Sequence, residues 1–112
     1  MSAPQFKIPV VIAVSGSDPT GGAGIQADSR TMALCGVHAC VAVAAVTVQN
    51  TVGVSGFHEI PAQVVADQVR VVVRDIGIGA AKTGMLASTA IIEAVAERMD
   101  GLAIHTPELD GV

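Results

Sequence analysis

A glycine-rich turn between an apolar run and a helix-forming stretch constrains the fold of this chain most strongly. Residues 8–14 are apolar and predict a buried strand, and residues 23–34 predict a helix that stops at Gly36. The turn between them, 15–24, is rich in glycine, which lets the backbone approach a ligand closely, while the first helix amides leave N–H groups unpaired. A chain built in this way uses the strand end and the helix start as two walls of a small-molecule site.

Further along the chain, strand and helix patterns alternate. The predicted elements are strands at 38–48, ending at Gln49-Asn50, and at 53–60, a helix at 62–75, a strand at 80–83 and a last helix capped by Ser88 or Thr89. The order β-α-β-β-α-β-α predicts an α/β layered fold with a mostly parallel sheet.

Composition narrows the class of protein. The chain has 112 residues, of which 51% are hydrophobic, but it has two Phe and neither Trp nor Tyr, so small aliphatic residues must form the core. Its net charge is −4 and its six Lys and Arg are scattered, which argues against nucleic-acid binding. Because no apolar run reaches membrane-spanning length and no signal-peptide pattern opens the sequence, we expect a cytoplasmic protein without a membrane partner.

Three polar segments follow the predicted parallel strands, at 15–24, 49–51 and 82–85. Ligands of such sheets bind beyond the carboxyl ends of the strands, so the three segments predict one shared pocket. Gln49 and Asn50 close an otherwise apolar strand, and an amide there matches the donor and acceptor edge of an aminopyrimidine.

Three charged residues in these segments allow two interpretations each. Asp18 precedes Pro19, so it either forms the turn or faces a ligand. Asp28 either lies on a solvated helix face or faces the pocket. Lys82 either pairs with an acid and snorkels, or supplies positive charge near a phosphate.

Two phosphate-binding motifs are excluded. Residues 22–27 match the dinucleotide fingerprint G-x-G-x-x-A, but its first glycine lies too far beyond the strand, and Gln49 stands where an acid should hold the ribose. Residues 77–83 are similar to a P-loop, but Ala81 replaces the glycine before Lys82, and these glycines precede the strand that they should follow.

The polar segments resemble a known family. Residues 16–28, 48–51, 81–85 and 94–98 are similar to the signature stretches of hydroxymethylpyrimidine/phosphomethylpyrimidine kinases, the thiamine-pathway branch of the ribokinase-like family. The resemblance runs in register from Val11 to Arg98. It implies a ribokinase-like layered fold with a mostly parallel sheet.

The resemblance also implies a reaction and a substrate pocket. Such a kinase uses ATP and Mg²⁺ to phosphorylate 4-amino-5-hydroxymethyl-2-methylpyrimidine and then its monophosphate. By resemblance, Gln49 reads the aminopyrimidine edge, Gly16 and Asp28 line the same pocket, and Met85 packs on the ring. Lys82 remains a candidate for the phosphate side.

The length of the chain departs from the family. Members are roughly twice as long or more, near the upper end of common domain sizes. We therefore expect residues 1–99 to be the N-terminal part of a truncated kinase domain and 100–112 a divergent tail. The catalytic residues and most of the ATP and Mg²⁺ sites are expected in a missing C-terminal half. The expected macromolecular partner is that half or, in a homo-oligomer, a second copy of this chain. The alternative function is a catalytically inactive pyrimidine-binding fragment or assembly module.

Overall fold

The computed structural model describes residues 8–101, and the side chains of residues 8–97. Its seven elements follow the predicted order. They are β1 (Val10–Ser17), α1 (Gly24–Leu34), β2 (His38–Asn50), β3 (Gly53–Glu59), α2 (Ala62–Asp75), β4 (Ala80–Thr83) and α3 (Thr89–Gly101). Residues 102–112, most of the predicted tail, lie outside the described residues, so the division at residue 99 stays a prediction.

The largest difference from the predicted boundaries is in β1. The strand begins at Val10 and continues to Ser17, three residues beyond the predicted end. These polar residues stay in the sheet because β2 remains beside them across a register shift after Ser15, with Gly16 paired to Ala45. The glycine-rich turn therefore starts later than the sequence predicts, and its first residues belong to a strand.

The sheet has the strand order β3-β2-β1-β4. The strand β1 is parallel to both β2 and β4, whereas β3 pairs with β2 in the antiparallel direction. The three parallel strands end at the same edge of the sheet. The predicted α/β fold with a mostly parallel sheet is confirmed.

The two faces of the sheet are covered differently. One face carries an apolar cluster in which Ile12 and Val14 of β1 pack with residues of α2 and α3, such as Val69 and Val95. The helix α1 packs against β1 and β2 on the other face and has no buried residue. Within residues 8–101, no helix combines the length and the apolar character needed to cross a membrane.

Gln68 of α2 closes the edge of β2 where β3 does not reach. The pairing of β3 with β2 extends from Ala45 to Asn50. Next to it, the Val43 backbone N–H donates to Gln68 Oε1, and Gln68 Nε2 donates to the Val43 carbonyl oxygen, both at 2.9 Å. One side-chain amide therefore satisfies both backbone groups, as a neighbouring strand would.

Candidate functional site

A tight turn follows β1 and begins the site. The Gly21 N–H donates to the carbonyl oxygen of Asp18 at 3.0 Å, which closes a turn with Pro19 at its second position. The Asp18 carboxylate accepts hydrogen bonds from the backbone N–H of Thr20 at 2.9 Å and from its hydroxyl. Asp18 is therefore a turn former, and it is also buried, with 4% of its surface exposed.

Gln26 and Gly24 hold this turn against the end of β1. Gln26 Oε1 accepts from the Asp18 backbone N–H at 2.8 Å, and Gln26 Nε2 donates to Ser17 Oγ at 2.7 Å. Gly24 has φ +65° and forms a bridge with Ser17, and a Cβ there would fall onto the carbonyl oxygen of Gly16. The turn and the helix start are thus fixed by contacts that only glycine permits at this position.

A cavity of about 270 Å³ opens where β1, β2 and β4 end. It is lined by Ser15, Gly16, Ser17, Asp18, Ala23, Gly24, Thr47, Gln49, Lys82, Gly84 and Met85. The three polar segments that were predicted to share a pocket all contribute to it. Asn50 is absent from the lining, and its side chain instead accepts from the Val52 N–H in the next turn.

Gly16 and Met85 form one wall of the cavity. A Cβ on Gly16 would lie 3.0 Å from the terminal methyl carbon of Met85, closer than ordinary van der Waals contact. The missing side chain therefore makes room for the methionine. Met85 keeps 46% of its surface exposed, so its flexible thioether can adjust to a flat ligand.

Asp28 and Lys82 form an ion pair between α1 and β4. Lys82 Nζ lies 2.9 Å from both carboxylate oxygens of Asp28. The Asp28 side chain is 16% exposed and is not part of the lining, whereas the Lys82 side chain is 40% exposed and is. Lys82 therefore pairs with an acid and also faces the cavity. Asp28 does not line the cavity and is connected to it by its ion pair with Lys82.

Gln49 and Asp18 both line the cavity, and the Gln49 amide influences the ionisation of Asp18. The pKa of Asp18 lies below its ordinary value, first because of the Gln49 side-chain amide and then because of the Thr20 backbone N–H, although burial opposes the shift. An ionised carboxylate only accepts hydrogen bonds, so the lowered pKa calls for the NH₂ group of Gln49, rather than its oxygen, on the side of Asp18. Its carbonyl oxygen and the second amide hydrogen are left for a ligand.

Several lining residues are not singled out by the sequence patterns. Thr47 precedes Gln49 by two positions on β2, so strand alternation could have placed both on one face. Its hydroxyl donates to the Ser17 carbonyl oxygen at 2.8 Å. Gln26 lies outside the lining. No sequence pattern predicts its role, because its hydrogen-bond partners depend on the shape of the turn. Ser15 and Ser17 lie in the predicted turn, although both belong to β1.

Comparison with known proteins gives a consistent result. The family model of phosphomethylpyrimidine kinase matches residues 18–112. A hydroxymethylpyrimidine/phosphomethylpyrimidine kinase from Mycobacterium leprae is 65% identical over 97 residues, which cover 87% of this chain and 35% of the relative. A kinase of the same name from Escherichia coli is 44% identical, and the match covers 90% of this chain and 38% of the E. coli protein. This chain spans about a third to two fifths of the length of these relatives.

Solved structures agree in fold. A phosphomethylpyrimidine kinase from Clostridium difficile superposes with a TM-score of 0.82 and 35% identity, over 89% of this chain and 43% of the other. A Bacillus subtilis pyridoxal kinase, solved as an ADP complex, superposes with a TM-score of 0.80 and 28% sequence identity. The match covers 88% of this chain and 38% of the pyridoxal kinase chain. The ribokinase-like fold expected from the sequence is confirmed. With the family model matching most of its residues, the chain belongs to the phosphomethylpyrimidine kinase family.

Proposed function

We propose that this chain forms the pyrimidine-binding part of an ATP-dependent kinase of thiamine biosynthesis. The substrates would be 4-amino-5-hydroxymethyl-2-methylpyrimidine and its monophosphate. The observation that carries the proposal is the convergence of Gly16, Gln49, Lys82 and Met85 on one cavity at the carboxyl ends of the parallel strands. The similarity to kinases of that name in M. leprae and E. coli supports it.

The size of the cavity favours a small heterocycle. Its volume of about 270 Å³ lies just below the range of about 300–1,000 Å³ typical of sites for drug-sized ligands. A single substituted ring suits such a space better than a whole nucleotide does. The proposal therefore assigns the acceptor substrate, rather than ATP, to this cavity.

Gln49 supplies the polar recognition in this proposal. With one N–H directed at Asp18, its carbonyl oxygen can accept from the exocyclic amino group of the substrate. The second N–H can donate to the ring nitrogen beside that amino group. Asp18 thus orients the amide, although it makes no contact with substrate in this scheme.

Met85 and Lys82 complete the proposed pocket. The thioether of Met85 would pack on the face of the ring, in the space that Gly16 leaves open. Lys82 would lie on the side of the substrate phosphate, with its ammonium held in place by Asp28. Asp28 is then a positioning residue for Lys82.

No magnesium site is assigned among the described residues. Between residues 8 and 101, no group of three or more His, Cys, Asp or Glu side chains comes together, and the Asp28 carboxylate is engaged by Lys82. We assign no residue here to ATP either, and no catalytic residue. The use of both by the complete kinase remains part of the proposal, as does a cytoplasmic location.

Calorimetric titration of the 112-residue chain with the hydroxymethylpyrimidine tests the pocket. Gln49→Ala should weaken binding by about tenfold or more, since two hydrogen bonds are lost. Asn50→Ala is the matched control, because this neighbouring amide lies outside the cavity lining, and it should leave the affinity unchanged. Equal affinities for wild type and Gln49→Ala would contradict the proposed role of Gln49.

The alternative function, an inactive pyrimidine-binding or assembly module, predicts binding without phosphoryl transfer. Mixing this chain with the C-terminal half of a relative, ATP and Mg²⁺ would separate the two. Transfer to the pyrimidine only in the mixture would support a chain completed by a missing half. Transfer by this chain alone, in an oligomer seen by sedimentation, would support the homo-oligomer instead.

A further inference from the structure

Ser15 carries a buried hydroxyl for which the described part of the protein provides no partner. The residue is 3% exposed, in the part of β1 that lines the cavity. Among the residues that the structure describes, none donates to or accepts from Ser15 Oγ, whereas the neighbouring Ser17 Oγ accepts from Gln26. A buried hydroxyl without a partner is uncommon and costs stability.

The absence of a side chain at Gly84 leaves room for this hydroxyl. A Cβ on Gly84 would fall onto Ser15 Oγ and lie 2.9 Å from Ser15 Cβ. The same point is 3.5 Å from Lys82 Nζ. The hydroxyl therefore occupies the space that glycine leaves at residue 84, next to the ammonium of Lys82, and all three residues line the cavity.

The direction of the hydroxyl follows from the two faces of the sheet. Ile12 and Val14 point into the apolar cluster, so Ser15 points to the opposite face, together with Lys82 and Asp28. On that face the nearby carboxylates are already engaged, Asp28 by Lys82 and Asp18 by Thr20. The Lys82 ammonium beside the hydroxyl can donate but cannot accept, so a ligand in the cavity can supply the acceptor that Ser15 lacks among the described residues.

We propose that Ser15 is a specificity-determining residue that donates a hydrogen bond to the ring nitrogen para to the amino group of a bound aminopyrimidine. This inference rests on the proposed function, in which Gln49 uses the amino group and the ring nitrogen beside it. The second ring nitrogen, on the far side of the ring, is an acceptor that Gln49 does not reach. A serine hydroxyl can donate to it without any change in charge.

The test compares two ligands on two proteins. The ligands are the hydroxymethylpyrimidine and 2-amino-3-hydroxymethyl-6-methylpyridine, which keeps the nitrogen beside the amino group and replaces the other by CH. Wild type and Ser15→Ala are titrated with each, and Ser55→Ala, an exposed serine on β3 outside the lining, is the control. Urea unfolding of each protein without ligand accompanies the titrations.

Ser15→Ala should bind the pyrimidine about five- to tenfold more weakly, the loss expected for one neutral hydrogen bond. Its affinity for the pyridine should equal that of wild type. Without ligand, its urea midpoint should be unchanged or higher, because no hydrogen bond within the described residues is lost.

The outcomes separate the two proposals. Equal loss for both ligands, or no loss for either, would overturn the role of Ser15 while leaving the pyrimidine site intact. A lower urea midpoint with unchanged affinities would also overturn it, since the hydroxyl would then have a structural role. Failure of wild type to bind the pyrimidine would instead remove the proposed function, and this inference with it.

Discussion

The two faces of the central sheet carry side chains of different polarity. On the α2 and α3 side, the cluster that contains Ile12, Val14 and Val69 is apolar and closed, and these side chains are fully buried. On the α1 side, the cavity is lined by serines, glycines, an amide and a lysine, and α1 itself buries no residue. The same strand, β1, serves both faces through the alternation of its side chains.

This difference separates two tasks. Burial of aliphatic side chains on one face supplies free energy of folding, at roughly 25 cal/mol per Å² of apolar surface removed from water. The other face contributes less burial and instead presents hydrogen-bonding groups to a ligand. We therefore expect substitutions on the apolar face to change stability alone, and substitutions of residues that line the cavity to change ligand affinity.

Gly24→Ala should have the largest effect and should damage both properties. Its φ of +65° disfavours alanine, and the new Cβ would meet the Gly16 carbonyl oxygen. We expect a loss of about 3 kcal/mol in the free energy of unfolding, together with loss of pyrimidine binding. Both are measured by urea unfolding and calorimetric titration.

Gly36→Ala is the matched control for Gly24→Ala. This glycine has φ +76°, but a Cβ added to it would meet nothing within 4 Å, so it isolates the cost of the backbone conformation. It should cost about 1 kcal/mol and leave the affinity unchanged. Equal costs for the two substitutions would mean that the contact with Gly16 contributes nothing.

Val69→Ala should lower stability without changing the site. Val69 is fully buried in the apolar cluster, and its truncation should cost about 2 kcal/mol of unfolding free energy. Val71 on the same helix is 52% exposed, and Val71→Ala should change stability by less than about 0.5 kcal/mol. A changed pyrimidine affinity in folded Val69→Ala would break the separation between the two faces.

The fold could be predicted because its signals are local. β-branched residues mark β1 and β2, and Pro61 with valines at helical spacing marks α2, whose bounds match the prediction. The end of β1 could not be predicted in this way. Ser15, Gly16 and Ser17 have the composition of a turn, and only pairing with β2 across the register shift keeps them in the sheet.

The site was predictable to a smaller extent. Gly16, Gln49, Lys82 and Met85 line the cavity, and their places at strand ends could be inferred from the order of elements. The partner of Asp28 could not, because Lys82 lies 54 residues away and either residue alone is compatible with a solvated position. Contacts of this kind depend on the register of β4 against β1, which local sequence does not determine.

Gln68→Ala tests a polar contact outside the site. Loss of its amide leaves the Val43 N–H and carbonyl oxygen without their partner, so we expect a cost of about 1.5 kcal/mol. Gln63→Ala on the same helix removes only an exposed contact with Asp67 and should change stability by less than about 0.5 kcal/mol. Neither substitution should alter the pyrimidine affinity. A changed affinity in Gln68→Ala would show that the β2 edge is coupled to the cavity.

Asp18 gives the smallest expected effect, and it depends on pH. Its pKa in the folded chain lies below the ordinary value of 3.8, so the unfolded chain binds the proton more readily. The stability that Asp18 contributes is therefore present at neutral pH and lost as the pH falls below the ordinary value and through the folded-state pKa. Urea midpoints from pH 7 down to the acid limit should fall less steeply for Asp18→Asn, which keeps a turn-forming side chain but has no charge to lose. Identical slopes would mean that Gln49 and Thr20 do not stabilise the ionised form, and the orientation of the Gln49 amide in the proposed pocket would lose its support.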